Sequence, residues 1–192
     1  MKNAVIIHGM SESEEDYRNP KLGLESDQHW IPWLQRQLIF RGIETQAPEM
    51  PKPYYPVYQE WKRVFEQFDL NDASLLVGHS NGGGFLIRWL SENPIKINKL
   101  VLVAAWMNPD GTDKRIEPSF HEFTIDPKLS ERVGSIQAFI SDDDNPEMAK
   151  TLDKITAVLP DVKIHRFSDH GHFTKSEMGT VEFPELLDAV IG

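Results

Sequence analysis

The sequence predicts an α/β protein built on a parallel sheet sandwiched by helices. Short apolar runs alternate with stretches of helical periodicity along the whole chain. The runs read as nearly unbroken rather than as polar/apolar alternation, the pattern of strands covered on both faces. The chemically suggestive side chains fall just past the ends of these runs, at the carboxyl edge where such sheets gather their sites. The chain has 192 residues, which suits one domain (1–192) with one substantial core.

Asn3 to Ile7 reads as a buried strand ending in the tight turn His8-Gly9-Met10. Ser11 to Asp27 is polar and acidic and reads as a surface loop with a short helical turn. Trp30, Trp33, Leu34 and Leu38 recur at helical spacing, so a helix spans about His29 to Phe40, with Pro32 tolerated in its first turn. Gly42 ends it, and Ile43 to Ala47 is the second strand. Pro48, Pro51, Pro53 and Pro56 then make a rigid, irregular connection that also carries Tyr54, Tyr55 and Tyr58. Val57, Trp61, Val64, Phe65 and Phe68 line one face of the next helix.

Ala73 to Gly78 is the third strand, and a helix from Gly82 to Leu90 follows. Leu100 to Ala105 is the fourth strand. Trp106 to Ile125 lacks a sustained period and reads as a small cap, a pocket rim or a long packed crossover. Ile136 to Ile140 is the fifth strand, Pro146 opens a helix through Leu159, and Val162 to Phe167 is the sixth strand. A loop then carries His170, Gly171 and His172 before a last helix over Val181 to Ile191.

Composition narrows the function. The chain is 40% hydrophobic and 26% charged, so disorder is disfavoured. Its formal net charge is −10 with no long basic block, which argues against a nucleic-acid surface. It contains no cysteine, which removes disulfide and thiol chemistry and fits a cytoplasmic protein. The first apolar run is too short for a secretory or membrane segment, so no membrane association is expected.

The chemistry centres on Gly78-His79-Ser80-Asn81-Gly82. A strand-to-helix turn this sharp needs small residues two before and two after its apex. It leaves the Ser80 hydroxyl exposed at a helix N-terminus. The alternative reading is a glycine-rich turn with a capping serine. A serine nucleophile needs a base, and the base needs an orienting acid. The chain supplies Ser80, then an Asp after strand five, then a His after strand six, which is the α/β-hydrolase order. His172, flanked by Gly171 and Phe173, is the favoured base, and His170 is its competitor. Asp142, Asp143 and Asp144 all stand where the acid is needed. Their competing reading is capping of the helix at Pro146, and a metal site has no second spaced ligand set to support it. The Asn81 amide, with a second from the turn after strand one at Met10, would hold an oxyanion. His8, Ser80, Trp106, Asp144 and His172 all lie just beyond strand ends.

Taken together, Val5-Ile6-Ile7-His8-Gly9, His29-Trp30-x-x-Trp33, Gly78-His79-Ser80-x-Gly82, Phe139 through Asp144 and Asp169-x-Gly171-His172-Phe173 resemble the small YdeN-like serine hydrolases, across the whole chain. The resemblance implies a compact α/β-hydrolase with a minimal cap and six parallel strands in the order 2-1-3-4-5-6. It puts the nucleophile on Ser80, the base on His172 and, matching from Phe139, the acid on Asp144. Asn145 stands where the family pattern has proline, which keeps Asp143 as the alternative. It implies that Trp30 lines the acyl pocket while Trp33 is core. With His8, Tyr54 and Trp106 as further pocket wall, the expected reaction is hydrolysis of small or short-chain carboxylic esters through an acyl-serine, without cofactor or metal. Thioester or amide cleavage is the neighbouring chemistry. A protein-binding module with an idle triad is the alternative of a different class. A monomer or small homo-oligomer is expected.

Overall fold

The structure is a computed structural model and describes residues 2–192. Its sheet contains β1 (Asn3–Ile7), β2 (Glu44–Gln46), β3 (Leu75–His79), β4 (Ile97–Val103), β5 (Val133–Ser141) and β6 (Lys163–Phe167). All neighbours run parallel, in the order β2-β1-β3-β4-β5-β6. The helices are α1 (Glu14–Arg18), α2 (Ile31–Ile39), α3 (Tyr58–Phe65), α4 (Asn81–Glu92), α5 (Leu129–Arg132), α6 (Pro146–Val158), α7 (Lys175–Met178) and α8 (Pro184–Ile191). This is the α/β-hydrolase fold in the strand order expected from the sequence.

The central strands are apolar because both their faces are covered. All of β3 is buried, as are Ala4 to Ile7 of β1 and Leu100 to Val103 of β4. Each fully buried Leu, Ile or Val there contributes about 1.5–3 kcal/mol relative to an exposed one. The two edge strands depart from the uniformly apolar expectation. In β2 only Thr45 is buried between exposed Glu44 and Gln46, and β6 is largely exposed. An edge strand has one neighbour and partial helix cover, so polar side chains cost little there.

Aromatic contacts join the layers. Trp61 and Phe65 of α3 pack edge-on against Phe85 of α4, with ring centres 5.7 and 5.4 Å apart. Phe183, at the N-cap of α8, packs against Phe139 of β5 and Trp30 at the N-cap of α2. The last helix starts at Pro184 rather than Val181, because the preset φ of proline suits the first helical position.

Residues 106–125 form a packed rim, not a helical cap. Their only regular element is a 3₁₀ turn at Pro118–His121, which buries Phe120 edge-on against Trp61 at 5.4 Å. Arg88 of α4 donates to the Phe120 carbonyl at 2.8 Å and fastens this turn to the body of the fold.

Candidate active site

The carboxyl ends of the strands open into a cleft of about 900 Å³. Ser80, Asp144 and His172 line it together, with Met10 and Trp106. Glu12, Thr112 to Arg115, Glu147, Met148 and Glu177 complete much of the wall.

Ser80 sits between β3 and α4 with φ 51° and ψ −122°, a conformation rare outside glycine that costs about 1–3 kcal/mol. Backbone hydrogen bonds hold it. Its amide donates to Val103 O at 2.9 Å, and its carbonyl accepts from Gly83 N at 3.0 Å and Trp106 N at 3.0 Å. The spacing of small residues has a steric cause. A Cβ at Gly82 would stand 2.3 Å from Ile7 O, and one at Gly78 would stand 2.6 Å from Gly83 Cα. Neither position has room for a side chain.

The turn after β1 lies directly against the serine. A Cβ on Gly9 would come within 3.0 Å of Ser80 Cβ and 3.5 Å of its Oγ. Met10 follows on the cleft wall, and Asn81 opens α4, where the first amides have no intrahelical acceptor. The Asn81 side chain is fully buried and its Oδ1 meets His121 Nε2 at 2.9 Å. Burial, then the nearby Arg88 and Lys154 charges, push the His121 pKa down to about 3, so its ring is neutral.

His172 Nδ1 lies 2.8 Å from Asp144 Oδ2. The carboxylate is 5% exposed and the imidazole 27%. The three consecutive aspartates diverge. Asp142 pairs with Arg166 at 2.5 Å, while Asp143 accepts from the Ser141 hydroxyl and from Gly171 N at 3.0 Å. The Ser141 hydrogen bond is the main cause that holds the Asp143 pKa below the usual carboxylate range. Capping of α6 falls to Asn145, whose side chain accepts from Glu147 N at 3.0 Å. His170 pairs with Asp169 at 2.8 Å and packs on Phe167, so its ring is committed elsewhere. Among the described residues no three His, Cys, Asp or Glu side chains are arranged to hold a metal ion.

The expected pocket wall needs correction at three positions. Trp30 does not line the cleft: it is fully buried among His79 and Phe183, and Trp33 is the more exposed of the pair. Only one side of a helix can face the sheet, and α2 turns Trp30, Ile31, Leu34 and Leu38 inward. His8 is also buried. Its Nδ1–H donates to Gly9 O at 2.7 Å and its Nε2 accepts from Met50 N at 2.7 Å, so it braces the turn instead of facing a ligand. Burial lowers its pKa despite the opposing charge of Glu49, in keeping with this neutral tautomer. Tyr54 stands outside the cleft, its ring 5.7 Å from that of Tyr17. Trp106 does line the cleft, and its indole N–H donates to Glu147 Oε2 at 2.6 Å.

Several neighbours of the site were not singled out from the sequence. Glu147 and the Thr112 to Arg115 rim carried no motif. Glu177 belongs to Thr174-x-x-Glu177, a capping box that signals a helix start and was legible in principle.

The fold is that of the α/β-hydrolases, and its cleft gathers a serine, a histidine and an aspartate. A serine hydrolase family model matches residues 4–190, and the chain belongs to that family. The YdeN hydrolase of Bacillus subtilis (strain 168) is 24% identical over 193 residues, covering 98% of this chain and 94% of its own. The B. subtilis ydeN gene product has a crystal structure that matches with a TM-score of 0.80 at 22% identity, over 98% of this chain and 96% of that one. Rat serine hydrolase RBBP9 is 26% identical over 164 residues, 84% of each chain. Ferulic-acid-bound Est1E from Butyrivibrio proteoclasticus shares the fold with a TM-score of 0.67 at 14% identity, over 99% of this chain and 86% of that one. No helix among the described residues is long and apolar enough to cross a membrane.

Proposed function

We propose that this chain hydrolyses small or short-chain carboxylic esters with Ser80 as nucleophile, His172 as general base and Asp144 as orienting acid. The observation that carries this reading is the 2.8 Å contact of His172 Nδ1 with the sheltered Asp144 carboxylate, in the same cleft as the strained Ser80. A carboxylate can only accept, so Nδ1 carries the proton and Nε2 is left free to take the Ser80 proton.

Ser80 Oγ attacks the ester carbonyl as His172 Nε2 takes its proton. The negative oxygen that forms is held by the Asn81 and Met10 amides, preset by the α4 N-terminus and the Gly9 turn. Collapse breaks the bond to the alcohol oxygen, and His172 returns the proton to the departing alcohol. Water then attacks the acyl-serine with His172 again as base, releasing the acid and restoring Ser80.

The cleft wall supports modest acyl groups. Its apolar members are Met10, Trp106 and Met148, surrounded by polar and charged side chains. A long lipid chain would leave carboxylates and lysine desolvated beside it, at a cost of several kcal/mol.

The test is covalent labelling by a fluorophosphonate probe together with turnover of p-nitrophenyl esters of increasing chain length. Labelling of the native protein, its loss in Ser80→Ala, and faster turnover of acetate and butyrate than of palmitate are expected. A native protein that neither labels nor turns over any ester overturns the reading and favours a binding role for the fold.

A further inference from the structure

The structure assigns a role to His79, the residue before the serine: it is a positioning residue for His172, acting with Glu177. His79 Nε2–H donates to the His172 carbonyl at 2.9 Å, while Glu177 Oε2 accepts from the His172 amide at 2.8 Å. The backbone of the base is therefore held at both its amide and its carbonyl. This inference rests on the proposed roles of Ser80 and His172.

The loop needs such a clamp. It follows the edge strand β6, and two of its residues adopt left-handed backbone, Gly171 at φ 49° and Phe173 at φ 57°. Backbone of this kind persists only where the surroundings over-determine it. On the far side Phe173 stacks on Phe183 at 5.5 Å, and its amide donates to His170 O at 2.8 Å, closing a turn over residues 170–173. The His79 and Glu177 contacts tie that turn to β3 and to α7. Gly171 makes the second one sterically feasible, because a Cβ there would stand 2.5 Å from Glu177 Cδ.

The chemistry of His79 suits the task. A carbonyl can only accept, so Nε2 must carry the proton. Burial, followed by the charges of His172 and His29, holds the His79 pKa well below the usual histidine value. The ring is a neutral donor and does not oppose the imidazolium that His172 becomes during turnover. Its own placement is rigid, since β3 is buried throughout and Trp30 and His29 stand edge-on to it, each at 5.6 Å.

The experiment compares steady-state ester kinetics and melting temperature in native protein, His79→Leu, His79→Gln and Glu177→Ala. Leucine fills much of the space without the donor, and glutamine restores an N–H near the position of Nε2. His79→Leu is expected to lower kcat on the order of 10- to 100-fold, the scale of an ångström-level misplacement, with KM changed less than about threefold. His79→Gln is expected to recover most of that loss. A His79→Leu kcat within about twofold of native, or a His79→Gln that falls as far as His79→Leu, overturns the clamp. Should His79→Leu fail to fold, the exposed Glu177→Ala decides, assayed well below its melting temperature because the α7 capping box is lost with it: a several-fold loss of kcat with KM little changed supports the clamp, and an unchanged kcat overturns it. Inactive native protein removes the catalytic reading and the clamp together. Active native protein with indifferent variants removes the clamp alone.

Discussion

His172 Nδ1 and Asp144 Oδ2 stand 2.8 Å apart although 28 residues separate them in the chain. The contact joins the loop after β5 to the loop after β6. The strands themselves are in register as far as Ser141 and Phe167, so the proposed acid and base approach as a continuation of that pairing. Asp144→Asn keeps the shape but permits the histidine tautomer whose Nε2 cannot take a proton. Turnover is expected to fall by roughly 10²–10⁴, taking the loss in the protease triad as the upper reference. Asp143→Asn should cost much less, because it weakens only the support of Gly171 and Ser141. Turnover of both variants, with circular dichroism as a control for folding, measures the difference. A collapse confined to Asp143→Asn would transfer the acid role.

The two histidines of the same loop should separate sharply. On the proposed roles His172→Ala removes proton transfer and the stabilising imidazolium together, so most hydrolysis should be lost. His170 is paired with Asp169 and packed on Phe167, so His170→Ala should leave much of the activity and chiefly lower the melting temperature. Parallel kinetics and thermal melts test this, and a greater loss of turnover in His170→Ala would reverse the assignment.

Gly82→Ala should damage the fold itself. The added Cβ would stand 2.3 Å from Ile7 O and 2.5 Å from His8 O, both of them backbone and unable to swing away. Overpacking of this kind costs about 1–3 kcal/mol, and rigid backbone neighbours put this site at the upper end. Urea unfolding should show that loss. Native stability in Gly82→Ala would mean that the end of β1 and the start of α4 are not in close contact.

Acid should destabilise the fold partly through His121. Its folded pKa of about 3 lies below the ordinary value of 6.5, so between those limits the unfolded chain binds the extra proton. Stability therefore rises with pH across that window, and is lost as pH falls from 6.5 towards 3, by up to about 1.4 kcal/mol per unit. His121→Gln retains a donor for Asn81 without the titration. The native protein should lose about 2–3 kcal/mol more than this variant between pH 7 and pH 4.5 in urea unfolding. Equal losses would show that His121 does not titrate in this way.

Local sequence determined the rhythm of strands and helices and the small-residue turn around Ser80. Both depend on side chains within a few positions of one another: apolar runs that must be covered, and glycines where a Cβ has no room. The same locality explains where sequence reading reached its limit. Asp142, Asp143 and Asp144 are equivalent as a string, and their different partners follow from the meeting of two distant loops. Trp30 and Trp33 are similar as letters, yet the rotation of α2 against the sheet buries the first and leaves the second more exposed. His8 follows a strand end like the other site residues, and only the approach of Met50 turns its ring inward. In the sequence His79 is only the neighbour of the serine. The tertiary structure sets it beneath the His172 carbonyl, because a contact across 93 residues of chain is decided by packing and not by neighbours in sequence.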